Sequence, residues 1–133
     1  MTTDDYVSYP LALALKKAGF DYPCYFYYTR KDSPDDHVYS TTSEEAPIDY
    51  NRSVYAGCSM PTLAQAQKWL REVKKWHIIV EPRIWEQQVY DFKLWHYYRG
   101  YENANRGFDY LSYELALSAG IAAALELIEM KGE

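Results

Sequence analysis

Five side chains in this 133-residue sequence have the chemistry of metal ligands or nucleophiles: His37, His77, His96, Cys24 and Cys58. Metal sites that can be recognised from sequence hold such ligands a few residues apart, on one helical face or in a short loop. No two of the five have this spacing, so we expect no metal and no cofactor. A catalytic triad is recognised by its geometry, which spacing does not show. The sequence therefore assigns no catalytic residue.

The positions of the glycines and cysteines bear on which classes of function and which cellular location the sequence favours. None of the six glycines lies in a G-x-G-x-x-G or G-x-x-x-x-G-K-[ST] loop, which disfavours nucleotide sites of those classes. Cys24 and Cys58 belong to no C-x-x-C motif, which is typical of reduced, inert thiols, and the spacing leaves open whether they meet. The acidic first residues and the lack of about 20 consecutive apolar residues predict a cytoplasmic protein without a membrane span.

Fifteen tyrosines are the most unusual feature of the composition. A tyrosine has an apolar ring and one hydroxyl, which suits half-buried positions in sheets and surfaces that bind a partner. Ordinary use in a sheet is the interpretation that the composition favours. A binding surface is the alternative, at a tyrosine-rich strand end followed by a loop rich in glycine and asparagine over residues 99–107. Its candidate residues are Trp95, His96, Tyr97, Tyr98 and Tyr101.

The basic cluster of the sequence lies between Trp69 and Trp76. Lys68, Arg71 and Lys75 share one face of a predicted helix, and basic residues beside aromatic rings can contact nucleic acid. A solvated helix face next to core tryptophans is the favoured interpretation, and nucleic-acid contact is the alternative. The net charge of −5 works against a general affinity for phosphate backbones. We therefore do not expect nucleic acid to be the main partner.

Hydrophobic periodicity and capping residues predict three helices and two strand pairs. The first helix has Ser8 as its N-cap and ends at Gly19, and the second begins at a capping box formed by Thr62 and Gln65. The third helix begins at a Ser112 cap. The predicted elements are helices over 9–18, from 62 and over 112–130, with strands over 24–30, 37–42, 77–83 and 89–98.

Length, composition and element order together predict the fold class. The chain has 48% apolar and 25% charged residues, which is the balance of an ordinary folded protein. Its length is typical of one domain, so we expect residues 1–133 to fold as a unit. The order α-β-β-α-β-β-α predicts an α+β fold, with an antiparallel sheet of about four strands and helices mainly on one face.

The last predicted helix has a strip of small side chains that includes Ala116, Gly120 and Ala123. Such a strip allows another backbone to approach the helix closely, and Gly120 costs about 1 kcal/mol relative to alanine within a helix. Packing of this helix on its own sheet is the favoured interpretation. Packing against a second copy of the chain is the alternative.

Two segments resemble a known group of proteins: residues 61–82, PTLAQAQKWLREVKKWHIIVEP, and residues 110–128, YLSYELALSAGIAAALELI. They are similar to the corresponding parts of a family of small, uncharacterised proteins found in phage-related and other mobile elements of gut bacteria. That resemblance implies a fold but no reaction and no catalytic residue. A weaker similarity joins residues 94–128 to small antitoxin-type domains, which implies binding to a partner protein.

Taken together, these features predict a non-enzymatic protein-binding module that acts on another protein or on itself as a homodimer. A small enzyme or ligand-binding protein, with a pocket that collects His77, His96 and Tyr98, is the competing class. Weak nucleic-acid contact through the basic helix face over residues 68–75 is the third hypothesis.

Overall fold

The computed structural model describes residues 5–29, 38–40, 47–52, 56–84, 88–102 and 109–132. Within these ranges the three predicted helices and antiparallel strands are present, which confirms the α+β class. The helices are α1 (Tyr9–Ala18), α2 (Leu63–Glu72) and α3 (Tyr113–Lys131). The strands are β1 (Phe26–Thr29), β2 (Val38–Ser40), β3 (Ala56–Ser59), β4 (Trp76–Ile84), β5 (Gln88–His96) and β6 (Gly100–Glu102).

The six described strands form two three-stranded antiparallel sheets instead of one. The first sheet has the order β2-β1-β3 and the second has the order β4-β5-β6. The predicted pairs, β1 with β2 and β4 with β5, are both confirmed. Each sheet gains a third strand, β3 or β6, that makes it wide enough to pack against helices.

Strand β6 lies within the segment that was predicted to be a loop, so that prediction is wrong for Gly100–Glu102. The reason is a tight turn in which the Arg99 amide donates a hydrogen bond to the His96 carbonyl oxygen at 3.2 Å. Gly100 follows with a φ of +79°, a left-handed conformation that glycine adopts without strain. The chain therefore folds straight back onto β5. Residues 103–107 of the predicted loop lie outside the described residues.

The helix caps follow the sequence. Thr62 accepts a hydrogen bond from the Gln65 amide at 3.1 Å and its own amide donates to Gln65 Oε1 at 2.9 Å, so the capping box is confirmed. The Ser112 hydroxyl accepts from the Leu115 amide at 3.1 Å. The Ser8 side chain makes no capping hydrogen bond, and α1 depends instead on a proline in its first turn and on left-handed Gly19 at its end.

One hydrophobic cluster joins all three helices to both sheets. Trp69 and Trp76, the two tryptophans that flank the basic cluster, are fully buried in this cluster of core residues. Burial alternates along strand β5: Phe92, Leu94 and His96 are buried, whereas Trp95 is only half-buried.

The small-residue strip of α3 faces the second sheet. A Cβ atom placed on Gly120 would lie 2.5 Å from Ile78 Cγ2, and Phe92 borders the same position at 3.4 Å. Ala116 and Gly120 are buried and Ala123 is half-buried against the core, so the first two have no surface left for a second chain. Ala116 and Gly120 therefore cannot form a self-association surface, and close packing on the chain's own sheet is the correct interpretation for both. Contact of a second copy with Ala123 stays a prediction.

We expect Gly120→Ala to lower the free energy of unfolding by up to about 2 kcal/mol. Alanine is intrinsically better in a helix by about 1 kcal/mol, but crowding in a packed core typically costs about 1–3 kcal/mol, and 2.5 Å is too close for any carbon pair. Urea denaturation of both proteins measures the difference.

The Ile78→Leu background provides the control, because leucine lacks the methyl group that would collide with the new Cβ. Gly120→Ala should cost less in that background, a coupling that a double-mutant cycle detects. Equal cost in both backgrounds, or a gain in stability, would show that this contact does not set the spacing between α3 and the sheet.

Candidate functional site

Four of the five predicted binding residues lie together at the β5–β6 hairpin. The strand register pairs Trp95 with His77 on one side and with Tyr101 on the other. Directly paired residues of antiparallel strands project from the same face of a sheet, so these three rings form one row across β4, β5 and β6. The His77 and Trp95 ring centroids are 5.0 Å apart.

Two further tyrosines extend this row at the turn. The Tyr97 ring lies 6.0 Å from Trp95 and 4.9 Å from Tyr98, both with edge-on geometry. Exposed fractions are 59% for Tyr97, 75% for Tyr98 and 69% for Tyr101. We call His77, Trp95, Tyr97, Tyr98 and Tyr101 the aromatic surface. Large rings this exposed and this close together are unusual outside contact sites.

The fifth predicted binding residue, His96, lies on the other face of the sheet. Its ring is only 6% exposed and packs edge-on against Trp76 at 4.8 Å. Nδ1 accepts a hydrogen bond from the Tyr98 amide at 3.2 Å, and the imidazole also bonds to the backbone of Lys74. His96 therefore positions the hairpin against the end of α2 and cannot be part of a contact surface.

The hypothesis of a pocket that collects His77, His96 and Tyr98 is wrong for the same reason. His77 pairs with Trp95 and His96 pairs with Trp76, so the two imidazoles project from opposite faces of one sheet. No single pocket includes both. His96 is also committed to structural hydrogen bonds with two backbone groups, which removes it as a general base.

The basic face of α2 adjoins the aromatic surface. Lys68, Arg71 and Lys75 are all exposed, and the Tyr97 amide donates to the Lys75 carbonyl oxygen at 2.9 Å. Lys75 has a φ of +65°, a left-handed conformation between α2 and β4. Burial lowers the pKa of His77, and the positive charge of Arg71 lowers it further. The Arg71 guanidinium is therefore near the aromatic row. Only the register of β4 on β5 shows this adjacency, which spacing along the chain cannot reveal.

The acidic residues on this face of the sheet have basic partners. Lys93 lies 3.4 Å from Glu81, and Arg83 lies 3.7 Å from Asp91. Glu102 is on the helix side of the sheet, where Lys131 at 2.7 Å lowers the pKa of its carboxyl. Among the described residues, the basic end of α2 therefore meets little opposing charge from strands β4 and β5.

A second candidate surface is an open apolar groove between α1 and α3. Its volume is about 640 Å³. Small residues line much of it, and an ion pair between Lys17 and Glu129 joins the two helices at one end. The residues contributed by α1 are Pro10, Leu11, Ala14, Lys17 and Ala18, and those of α3 include Ser118, Ala119, Ala122, Leu125 and Glu126. The sequence signal for this groove was the lack of any charged residue between Leu115 and Leu125.

A third concave region, near Asp49 and Asn51, is structural. The Asn51 side chain donates to the Phe20 carbonyl oxygen and accepts from the Ser59 amide, both at 2.9 Å. The Asp49 carboxylate accepts a hydrogen bond from the Asn51 backbone amide at 3.0 Å. Burial raises the pKa of the Asp49 carboxyl. These bonds tie three segments of the chain together.

Cys24 and Cys58 are buried, free thiols. Burial raises the pKa of Cys24 to about 12 and that of Cys58 to about 11. Neither thiol is therefore a nucleophile near neutral pH, in agreement with the prediction of inert cysteines. Among the described residues no group of three His, Cys, Asp or Glu side chains could hold a metal ion, and His37 lies outside them.

The chain matches no protein-family model, no curated protein and no solved structure. The resemblance to the phage-related family of gut bacteria therefore stays a prediction. In the part of the chain that the structure describes, none of the helices has the length and apolar character needed to cross a membrane.

We expect Cys24 and Cys58 to react with iodoacetamide at pH 8 at least about 100-fold more slowly in the native protein than in urea. The reason is that burial raises the pKa of both thiols, so few thiolates are present. Intact-mass spectrometry over time measures the rate. An Ala64→Cys variant, which places a thiol on the exposed side of α2, should react at once under the same native conditions. Rapid double labelling of the native wild type would contradict the burial described above.

We also expect the free energy of unfolding to fall as the pH is lowered from 7 to 5. Burial lowers the pKa of both His77 and His96 in the folded protein, so the unfolded chain takes up protons first and is favoured as the pH falls. Urea denaturation at several pH values measures this dependence.

The His96→Asn variant separates the two histidines, since asparagine keeps an acceptor near the Nδ1 position but does not titrate. Part of the pH dependence should disappear and the part due to His77 should remain. An unchanged slope in this variant would mean that His96 does not contribute.

Proposed function

We propose that the protein is a non-enzymatic protein-binding module whose docking face is the groove between α1 and α3. The observation that carries this proposal is the outward side of α3, which has no charged residue from Leu115 to Leu125 and borders an open channel. Helices that are apolar on all sides are normally covered on all sides. The inner side of α3 already covers β4 and β5.

The shape of the groove favours an amphipathic helix as the occupant. The groove is lined by small side chains, including Ala14, Ala119 and Ala122. Such small side chains allow the backbone of another helix to approach closely. Leu115 is 55% exposed one turn before Ser118 and Ala119, on the same face of α3, and can contact the apolar side of an incoming helix. This arrangement corresponds to the helix-in-groove mode of recognition.

Two further observations support a protein partner in a reducing, cytoplasmic setting. Free, buried cysteines are usual where disulfides do not form. The similarity of residues 94–128 to antitoxin-type domains agrees with a partner protein, and the resemblance to phage-related proteins agrees with a role in a mobile element. A second copy of the chain offers the same helical chemistry, so a homodimer belongs to the same proposal.

The test is a charge placed in the groove. Ala122→Glu changes an exposed position, so the variant should fold normally, yet partner binding should weaken at least about 100-fold because an unpaired carboxylate would be buried in an apolar interface. Tagged protein expressed in its native host and read by quantitative mass spectrometry measures heterologous partners. Light scattering across a concentration series measures self-association, where a mass of 15.6 kDa throughout is the monomer.

The matched control is Ala64→Glu, the same substitution at an exposed position of α2. Partners lost with Ala122→Glu but kept with Ala64→Glu support the proposal. Partners or dimers that survive Ala122→Glu would show that the groove is not the docking face.

A further inference from the structure

We infer that the aromatic surface and the basic end of α2 together bind a single strand of nucleic acid, with bases stacked on the rings and phosphates beside Lys68, Arg71 and Lys75. This site lies on the sheet side of the molecule, whereas the groove lies between the helices. The inference is therefore independent of the protein-docking proposal.

The rings provide a stacking platform. His77, Trp95 and Tyr101 stand in one row because the register aligns them across three adjacent strands, about 4.8 Å apart from strand to strand. The strand backbone holds the ring positions, so little order has to be created when a ligand binds. Every base has a π-face, so such a platform accepts a single strand with little regard to sequence.

The charge distribution is uneven in a way that suits a phosphate backbone. The chain has 14 basic and 19 acidic residues, but residues 68–75 hold four basic residues and only one acidic residue, Glu72. Glu72 Oε1 accepts a hydrogen bond from the Tyr22 hydroxyl at 2.7 Å. The overall negative charge had argued against nucleic acid. In the structure, the basic segment over residues 68–75 lies beside the aromatic surface.

The nearby acidic groups do not cancel this charge. Glu81 has Lys93 as its partner and Asp91 has Arg83, both farther along the strands from the hairpin. The charged group of α2 that acts on the aromatic row is Arg71, whose charge lowers the pKa of His77. A polyanion can thus follow the edge formed by α2 and the hairpin.

The choice of nucleic acid over a protein partner rests on the residue types. Tyrosine, tryptophan and arginine occur in both kinds of interface, but lysine is depleted in protein interfaces and common beside phosphates. A duplex is disfavoured because its bases are stacked on one another and cannot lie on the rings. Single-stranded DNA and single-stranded RNA present the same chemistry, and the experiment separates them.

The experiment is fluorescence anisotropy with labelled oligo(dT) and oligo(rU) of about 12 nucleotides, at low salt of about 50 mM and then at rising salt. The wild type should bind at least one of them, and a duplex of equal length more weakly. Tyr97→Ala with Tyr101→Ala, two exposed positions, should weaken binding at least about tenfold, and Trp95→Ala should do so by itself. The slope of log K against log salt should become shallower by about 1.4 in Arg71→Ala with Lys75→Ala, since each phosphate contact on a single strand contributes about 0.7.

The controls are Tyr25→Ala, which removes a tyrosine that is 54% exposed outside this surface, and Arg52→Ala, which removes an exposed charge elsewhere. Both should bind as the wild type does, and circular dichroism should show all variants folded. The inference would be overturned by no binding of either oligonucleotide at low salt, or by equal losses in the control variants. The inference would also be overturned if the wild type bound no oligonucleotide but captured a partner protein that the Tyr97→Ala, Tyr101→Ala variant did not. That result would assign the surface to protein contact. None of these outcomes bears on the groove, which Ala122→Glu tests separately.

Discussion

The close approach of α3 to strands β4 and β5 at Gly120 is the constraint on which both candidate surfaces depend. With no side chain at this position, the helix lies against Ile78 and Phe92 closely enough that even a methyl group would collide. This contact fixes the inner side of α3 against the sheet. The outer side of α3 therefore borders α1, where the groove lies. The face of the sheet that points away from α3 carries the aromatic surface.

A second constraint holds the end of the sheet in place. His96 is buried beside Trp76 and bonds to backbone groups on both sides of it in space, at the hairpin and at the end of α2. These bonds need a neutral imidazole with one nitrogen as acceptor, which burial favours. The hairpin tyrosines are exposed, yet the residue that orients them is in the core. Exposure and rigidity are thus combined within a few residues.

Features that depend on short stretches of chain could be predicted from the sequence. The caps at Thr62 and Ser112 are local hydrogen bonds between residues three positions apart, so their pattern is visible in one segment. The strand over residues 89–98 is likewise a local feature, since it is predicted from one segment of the chain. Strand β6 was missed because a segment rich in glycine and asparagine is typical of a loop, and only the left-handed geometry at Gly100 shows that the chain turns back at once.

The remaining features depend on which elements become neighbours, and no local pattern encodes that. The separation of His77 from His96 follows from the parity of the strand register, since a shift of one residue would reverse it. The proximity of Arg71 to His77 and the groove between α1 and α3 arise only when the helices are placed on the sheets. The predicted residues Trp95, Tyr97, Tyr98 and Tyr101 do gather, because they belong to one strand and its adjoining turn.

The backbone at Lys75 shows a trade-off between backbone conformation and helix capping where α2 joins β4. A left-handed conformation disfavours any residue with a Cβ by roughly 1–2 kcal/mol, and glycine or asparagine would adopt it more easily. The chain nevertheless has lysine at this junction, directly beside the hairpin. Strained positions of this kind are concentrated where proteins act on other molecules. The Lys75 ammonium donates a hydrogen bond to the Glu72 carbonyl oxygen at 2.9 Å. Glycine at this position would therefore relax the backbone but leave the last turn of α2 without that hydrogen bond.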